Sequence, residues 1–570
     1  MKVAVQVPKL SGFDKSHQNL LTSKVGTITP ILIDELIPGS KVHLSLALSA
    51  QLPPLATDTF MRCQIKVEVF LCPFRLLAGS FESWFTNTAV SFQGGFAAPA
   101  AYTDKLGMLP ILGNVGGSTV GPDGSTPLLS YLHKPGALLD YLGLKTGTAW
   151  LASGYISAMS ALCYHRVYDD WYRNTLVQRP VFVRPQAVIG TTGSTSNTIA
   201  PGAINLCAAT APYYFYCDNV TASASGSPVQ NYAFTSLDSL KLADGAYLFE
   251  LRQRNFGLDY FTTATPSPQL GSAQVVSFAT NGATGQFSIA ALRAANSLQQ
   301  FSERNNLAGT RYQDQLRARY GSNLSSGVAQ RSIFLGGASF DVYSKGIFQQ
   351  GQDVSGSGAS SAATNNPFSS TTGARFGSAS AAGHSLNLNF DVDEPCFLLV
   401  NATLVPKVTY ASGINRKLYH YIGAGSLSDL ANPILQNVGP QPIYQFELTG
   451  SGSTSNIFGY TDRYAEFKTM EDELHGLVRD GSSLDTFALQ RSFALGTTPT
   501  INSAFLQIPT NYMDQVTAVT ADLSTYGYWL DTYFDYKVAQ PLSKYSLPSL
   551  QDPAYEHGKT VVMQKGGQKL

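Results

Sequence analysis

Strand-like segments that lie more than 300 residues apart are the feature that most constrains the fold of this chain. Apolar and polar residues alternate with a period of two in 44–49, in 64–69 and again in 386–392, and a partner run follows at 396–408. Such alternation is typical of antiparallel strands with one buried face, because successive side chains point to opposite faces of a sheet. Since distant segments supply strands of the same kind, the pattern predicts two antiparallel sheets in a Greek-key sandwich.

Such a sandwich accounts for only a small part of the chain. An eight-stranded antiparallel jelly roll needs about 60 residues in strands, whereas the sequence has 570. We therefore predict a mainly β fold in which residues 1–570 form a single domain with flexible terminal arms, a few helices and long insertions at about 86–150, 185–235 and 351–382. Because long structureless loops are uncommon in compact monomers, neighbouring subunits are expected to cover them.

The last two of these insertions differ in composition. Residues 351–382 are rich in Gly and Ser, so they bury too little apolar area to offset the cost of ordering the backbone, and we predict a surface loop there. In 185–235, by contrast, the aromatic cluster at 213–216 is expected to pack locally against a symmetry mate.

The charge composition indicates a surface that is covered in the working state. Charged residues make up 13% of the chain, and the 38 basic residues equal the 38 acidic ones. No net field therefore draws the chain to nucleic acid, and any contact with DNA has to come from local basic patches. The six cysteines form no C-x-x-C pair, which argues against a zinc site or a disulfide framework. The sequence has neither a signal-peptide core nor an apolar run of 18 residues, so we expect no secretion by that route and no membrane span.

Helical periodicity occurs in three places. Apolar residues spaced three and four positions apart predict a helix ending near Val167, and a capping box at Thr310 predicts a short helix that Gly321 ends. Between them, a helix is predicted over about 289–306. The residues expected to face inward from this helix are Leu292, Ala295, Leu298 and Phe301.

No residue pattern in the sequence supports catalysis. The signatures of serine hydrolases, zinc proteases and dinucleotide-binding enzymes are all missing from it. Asp169 and Asp170 are adjacent, so on a helix they diverge and cannot form a facing acid/base pair. They are expected to cap a helix or to form a salt bridge at a subunit contact, and His165 and His420 are interpreted as hydrogen-bonded structural groups. We therefore predict no enzyme, no cofactor and no metal site.

Basic residues are concentrated in one internal stretch and at the two ends of the chain. Between 291 and 331 six arginines, the last of them Arg331, stand against two carboxylates. They could bind the phosphates and bases of single-stranded DNA, or they could pair with carboxylates and carbonyls across subunit contacts. Both interpretations stay open. The candidate nucleic-acid-binding residues are Arg293, Arg304, Arg311, Arg317, Arg319, Lys2, Lys9 and Lys15.

The segment 251–271, LRQRNFGLDYFTTATPSPQLG, is the most distinctive of the chain. Pro266 and Pro268 exclude a helix or a central strand, so it is predicted to be a rigid extended connector. The amino-acid sequence of this segment resembles that of the major capsid protein of the microviruses (Microviridae), in particular the gokushovirus-like branch. Further matching phrases follow in the order of that family: the opening at 19–77, YDDWYRN (168–174), RYQDQLRARYG (311–321), QRSIFLGG (330–337), VPKVTYASGINR (405–416) and YTDRYAEFK (460–468).

The resemblance implies a structural function. It implies a jelly-roll subunit of a bacteriophage virion, which builds a T=1 icosahedral capsid from identical copies around a circular single-stranded DNA genome. The implied partners are other copies of the chain, the genome, a small basic DNA-binding protein, minor capsid proteins and a host surface receptor, with assembly in the cytoplasm of the host bacterium. The family also carries a protrusion at its threefold axes, and 185–235 is the predicted counterpart.

Two other classes of protein stay open on the sequence alone. A β-rich carbohydrate-binding or adhesion protein would use aromatic clusters and polar loops as its binding surface. A β-sandwich glycoside hydrolase would need two facing carboxylates, which the sequence does not pair. Electron microscopy of the purified chain separates the three classes, because only a capsid subunit forms particles.

Overall fold

The structure is a computed structural model of the chain. It describes residues 2–7, 10–57, 59–78, 81, 85, 110–113, 119–145, 151, 155–182, 233–234, 237, 240–242, 244–269, 289–309, 311–322, 325, 330–349, 375–422, 439–452, 455–518, 525–542 and 559–564. Apart from 233–234, the predicted insertion at 185–235 lies outside the described residues, and so do its aromatic cluster and residues 351–374.

Strands dominate the described part of the chain. The strands are β1 (Lys2–Val7), β2 (Ser11–Asp14), β3 (His17–Ser23), β4 (Thr29–Leu36), β5 (Lys41–Gln51), β6 (Cys63–Pro73), β7 (Ile111–Gly113), β8 (Tyr155–Ser157), β9 (Ala233–Phe234), β10 (Ile333–Gln349), β11 (Arg375–Asp391), β12 (Cys396–Pro406), β13 (Gln441–Tyr444), β14 (Ile457–Thr461), β15 (Tyr528–Gln540) and β16 (Lys559–Gln564). The helices are α1 (Leu128–Leu132), α2 (Leu138–Tyr141), α3 (Met159–Val167), α4 (Ile289–Ala308), α5 (Tyr312–Tyr320), α6 (Phe446–Thr449), α7 (Ala465–Lys468) and α8 (Ser503–Leu506), with a π-helical turn (Tyr168–Tyr172) directly after α3. Short 3-10 turns lie at Phe74–Leu76, Arg416–Tyr419, Gly476–Val478, Asp485–Phe487 and Asp514–Val516.

Nine strands form one antiparallel sheet with eight positions. Its order is β2, β15, β5, β11, β10, β6, β12 and β4, and β3 also pairs with β15. The pairs Asp14 with Lys537 and His17 with Phe534 share a single register, so β2 and β3 are two parts of one edge strand. The eight positions agree with the predicted eight-stranded antiparallel fold.

Strand β10 connects the two layers of the sandwich. Its residues 333–342 pair with β6, whereas residues 343–349 pair with β11. One layer therefore contains β10, β6, β12 and β4, and the other contains β11, β5, β15 and the edge strand. Side chains from both layers, such as Leu46 and Leu404, are fully buried in one shared core. This curled antiparallel sheet confirms the predicted jelly-roll fold.

Strand β6 confirms the strand predicted from the alternation of apolar and polar residues in 64–69. Ile65, Val67 and Val69 point into the sandwich core and are fully buried. Lys66 and Glu68 alternate with them and lie on the opposite face, where both side chains are half-buried. That opposite face is exposed at Gln64 but partly covered at Glu68, where Tyr172 and Arg254 of the long insertion after β6 pack against it.

The insertion builds a second apolar layer on the sandwich. On the sandwich side this layer contains Phe70 and Cys72 of β6 and Leu399 of β12. Leu162 and Tyr164 of α3 pack against them. The apolar spacing around α3 is therefore a true buried face, as the sequence predicts. A smaller third cluster joins the connector near Phe261 to β13, β14 and α8.

Strand β11 corrects the predicted surface loop at 351–382. The strand begins at Arg375, and Ala379 and Ala381 are buried in the sandwich core. Small residues are needed here because the large side chain of Phe340 crosses this part of the sheet: a Cβ on Gly383 would lie 2.8 Å from its ring. The prediction of a loop is therefore wrong for residues 375–382.

The two ends of the described chain meet in a separate ribbon. Strands β1 and β16 pair antiparallel, with Lys2 opposite Gln564 and Val7 opposite Lys559. The two strands form a two-stranded sheet of their own, separate from the nine-stranded one. The pairing therefore brings the amino-terminal and carboxy-terminal strands together, with Lys2 near one end of the ribbon and Lys559 near the other.

Candidate assembly and nucleic-acid interface

The extended connector, described over 251–269, is tied to the sandwich by a charged cluster. Arg254 donates two hydrogen bonds to the Glu68 carboxylate, at 2.7 and 2.8 Å, and the Tyr172 hydroxyl donates a third at 2.5 Å. Burial alone would raise the pKa of Glu68, but Arg254 and Tyr172 hold it below its ordinary value. Glu68 thus stays ionised and joins β6, the connector and the π-helical turn.

A second arginine of the connector fixes His165 as a structural group. Arg252 donates from Nε to His165 Nδ1 at 2.9 Å, so His165 Nε2 carries the proton and donates to the Leu248 carbonyl at 2.9 Å. Burial and the adjacent Arg252 charge lower the pKa of His165 well below its ordinary value. Asp244 accepts from Arg252 and completes the cluster. The sequence prediction for His165 is confirmed.

A further charged cluster, around Arg416, contains two carboxylates but is sealed from solvent. Arg416 Nη1 lies 3.1 Å from Glu447 Oε1, and its Nε lies 3.7 Å from Glu466. The Tyr260 hydroxyl donates to Glu447 at 3.0 Å, and His420 Nε2 is 3.6 Å from Glu466. Burial raises the pKa of Glu447 above its ordinary value. A glycosidase needs its carboxylates in an open cleft, so this buried cluster holds the fold together and cannot reach a substrate.

The adjacent acids of the π-helical turn form ion pairs within the chain, whereas the sequence predicted a helix cap or a salt bridge at a subunit contact. Asp169 pairs with Arg173 at 2.6 Å, and Asp170 pairs with Arg166 at 3.1 Å. Each partner is four residues away, so both pairs are local to the helix. Asp170 also accepts from the backbone and hydroxyl of Ser332, at 3.0 and 2.9 Å. These carboxylates therefore have partners and are not a catalytic pair.

Two of the predicted basic residues serve as anchors within the chain. Arg311 donates to the carbonyls of Asp169 and Arg173. Arg331 lies 3.8 Å above the Trp171 ring and donates to the Asp170 carbonyl. Burial lowers the pKa of both guanidiniums. They attach the ends of the 311–331 segment to the π-helical turn.

The remaining predicted basic residues have different environments. Arg293 and Arg304 on α4 and Arg317 and Arg319 on α5 are exposed. Arg319 lies 4.5 Å from the centre of the Phe301 ring and bonds to neighbouring amides, so it joins the two helices. At the amino terminus, Lys15 pairs with Asp34 at 2.7 Å, Lys2 lies in β1, and Lys9 is outside the described residues.

Helix α4 corrects the predicted direction of its apolar face. Leu292 is 54% exposed and Leu298 is 47% exposed, whereas Asn305 and Asn306 are almost completely buried. The amide of Asn306 donates to the Ser267 carbonyl at 2.7 Å, and the Asn305 oxygen accepts from Arg319 at 3.2 Å. The polar side faces inward because backbone carbonyls and a guanidinium there need partners. The predicted inward direction of Leu292, Leu298 and Phe301 is therefore wrong.

The described ranges contain no group of three or more His, Cys, Asp or Glu side chains arranged to hold a metal ion. Among the helices in those ranges, none combines the length and apolarity needed to cross a membrane.

A jelly-roll sandwich with long packed insertions, sealed ion-pair clusters and an uncovered apolar helix is typical of a structural subunit of a viral shell. The chain matches the family described as Capsid protein (F protein) over residues 3–550, and it belongs to that phage capsid family. Its relatives are structural proteins of microviruses, so the chain is a major capsid protein of this type and not an enzyme.

Three relatives, each named capsid protein VP1, support this assignment. The VP1 of Chlamydia phage 1 is 24% identical over 95% of this chain and 96% of its own length. The VP1 of Bdellovibrio phage phiMH2K is 23% identical over 95% of this chain and 97% of its own length. The VP1 of Spiroplasma virus 4 is 26% identical over 48% of this chain and 47% of its own length. The resemblance read from the sequence is confirmed.

Proposed function

We propose that identical copies of this chain close into a T=1 icosahedral shell around a circular single-stranded DNA genome, with assembly in the cytoplasm of a host bacterium. The observation that carries the proposal is the capsid-family match along nearly the whole chain. The apolar residues that α4 leaves exposed support it, since a shell contact would cover them.

Electron microscopy and size-exclusion chromatography of the purified chain test this function. The expected result is a uniform population of small icosahedral particles that protect single-stranded DNA from nuclease. Obligate contacts of this kind bury roughly 2,000 to 5,000 Å² each. A stable, well-ordered monomer at micromolar concentration would contradict the proposal that the chain forms a shell. Particles of another symmetry would contradict the proposal that the shell is a T=1 icosahedron.

For the genome contact, we propose the lysines of the terminal ribbon. Its register places Lys2 opposite Gln564, one position before Lys565, and Lys559 opposite Val7, two positions before Lys9. The ribbon thus has Lys2 of the amino-terminal strand near one end and Lys559 of the carboxy-terminal strand near the other, and Lys9 and Lys565 lie within two residues of these strands in the sequence. Lysines bind phosphates as flexible point charges, and this contact requires no sequence preference.

The matched control for this contact is Lys15, which carries the same charge but pairs with Asp34. Replacing Lys2, Lys9, Lys559 and Lys565 with Gln should leave shells intact and reduce the DNA they retain, with a weaker dependence of DNA binding on salt. Lys15→Gln should retain the wild-type DNA content. Equal DNA content in both variants would exclude the ribbon as the contact.

Other partners are proposed on charge balance. The 38 basic and 38 acidic residues leave no surplus charge to neutralise the genome. We therefore propose that polyamines, metal ions or a small basic DNA-binding protein supply it, beside minor capsid proteins and a host surface receptor. The proposed threefold protrusion at 185–235 lies outside the described residues, except for 233–234.

A further inference from the structure

The amino-terminal half of α4 extends away from the body of the protein. Of the residues in 290–301 whose side chains the structure describes, Ala295 and Gln299 are half-buried and the others are exposed. The contacts that attach the helix lie near its other end, at Asn305 and Asn306. Most helical stability in proteins comes from packing of an apolar face. A helix exposed in this way therefore gains little stability from contacts with its own chain.

The surface of the α4–α5 pair is both apolar and basic. Between 289 and 322 five arginines stand against two carboxylates, and four of these arginines are exposed. Apolar side chains lie among them. Those exposed by 44% or more are Leu292, Leu298, Phe301, Leu307, Tyr312 and Tyr320. A partner for this surface has to offer apolar area together with negative charge.

The same chain carries a surface with the opposite charge at 467–485. Five carboxylates stand there against Lys468 and Arg479, and after the last two residues of α7 the segment is made of loops and short 3-10 turns. Glu473 and Asp480 are exposed. Its exposed apolar side chains are Phe467, Met470, Leu477 and Leu484, of which Met470 is 85% exposed. Counted over the two segments alone, the net charges are equal in size and opposite in sign. Because Arg62 and Lys407 already pair with Asp472, the exposed Glu473 and Asp480 are the carboxylates that we assign to a contact.

A short path connects the two surfaces on each copy. A carboxylate oxygen of Glu303 on α4 is 3.1 Å from the position of a Cβ on Gly439, and two residues later Gln441 donates to Glu466 at 2.7 Å. Glu466 immediately precedes the acidic segment. Opposite charges on neighbouring parts of one subunit suit a twofold contact, because each copy then presents both halves of one self-complementary pair.

We propose that the α4–α5 pair of one copy docks on segment 467–485 of a second copy in a twofold contact. Each copy contributes both surfaces to this contact. The leucines of α4 pack against the exposed apolar side chains of the segment, and the arginines face its carboxylates. Single-stranded DNA is the other candidate occupant of the arginines, but DNA would leave Leu292 and Leu298 uncovered. The inference rests on the proposed shell and assigns one of its contacts.

Charge reversal in two separate variants tests the contact. One variant carries Arg293→Glu and Arg317→Glu, and the other carries Glu473→Lys and Asp480→Lys. Like charges facing each other weaken association strongly, so each variant alone should yield at least about 10-fold fewer particles on a density gradient. Mixing the two variants should restore particles, because a twofold contact between unlike copies then pairs opposite charges in both halves.

Several outcomes would overturn the inference. Normal particle yields from either variant alone would exclude the contact, and so would a mixture that fails to restore particles although each subunit is folded by circular dichroism and melting. Normal shells with reduced DNA in the arginine variant would assign the surface to the genome. The proposed function fails separately, if the unmodified chain forms no shells.

A cysteine pair gives a second readout that does not depend on charge. Leu298→Cys together with Met470→Cys should allow a thiol-specific cross-linker to join two copies in assembled particles, and the described native cysteines are buried. The matched control is Leu298→Cys with Leu495→Cys, since Leu495 is also highly exposed but lies outside both surfaces. Equal cross-linking of both pairs would contradict the inference.

Discussion

The sandwich and the α4–α5 pair place their apolar residues in opposite ways. In β6, Ile65 and Val67 are fully buried and polar residues alternate on the other face. In α4, Leu298 is exposed and Asn306 is buried. The sandwich is therefore stabilised by its own core, whereas the helix pair is held by hydrogen bonds and leaves apolar area exposed. In the contact proposed above, folding and assembly depend on different parts of the same chain.

The largest expected effect is on the core of the sandwich. Val67→Asp places an unpaired charge between the two layers, and such changes cost about 4 kcal/mol or more. We expect no soluble subunit and no particles, measured by soluble yield and electron microscopy. Lys66→Asp, on the opposite face of the same strand, is the matched control and should be milder. Particles of Val67→Asp with unchanged melting would show that the register of β6 is misassigned.

A smaller loss is expected where the connector meets the sandwich. Arg254→Met leaves the Glu68 carboxylate buried without its guanidinium, which typically costs about 3 to 5 kcal/mol. Denaturant unfolding of the subunit measures this loss. The double variant Glu68→Gln with Arg254→Met should recover a large part of it, because no unpaired charge remains. Additive losses in the double variant would argue against a direct ion pair.

The response to pH should differ in sign between two buried glutamates. The folded pKa of Glu68 lies below the ordinary 4.5, so its contribution is present above pH 4.5 and is lost as the pH falls through the folded value. The folded pKa of Glu447 lies above 4.5, so its contribution is present below pH 4.5 and is lost as the pH rises through the folded value. Melting temperatures of Glu68→Gln and Glu447→Gln from about pH 2.5 to about pH 7 should therefore change in opposite directions relative to the wild type, with the Glu68 effect below pH 4.5 and the Glu447 effect above it. Parallel profiles would contradict this assignment.

The smallest effect on the isolated subunit is expected on α4. Leu298→Ser removes an exposed apolar side chain, so the free energy of unfolding should change by no more than about 0.5 kcal/mol. Particle yield should nevertheless fall, because the side chain is proposed to lie in a subunit contact. Leu495→Ser is the control, with small effects on both measurements. A large loss of subunit stability in Leu298→Ser would mean that α4 packs within its own chain.

Much of the sandwich could be predicted because its local patterns agree with its packing. The alternation at 64–69 fixes which residues of β6 face the core, and Gly321, with φ of 69°, ends α5 as expected. The ion pair of Arg254 with Glu68 joins residues 186 positions apart, and no local pattern indicates it. Helical spacing also shows that α4 has an apolar stripe, but not which molecule covers it.

The paired chain ends have a practical consequence for engineering. Neighbouring strands lie about 4.8 Å apart, so a short peptide could join residue 564 to residue 2 and close the chain into a ring. Peptides inserted next to residue 2 and next to residue 564 would leave the same end of the ribbon, so one design of linker should serve both positions.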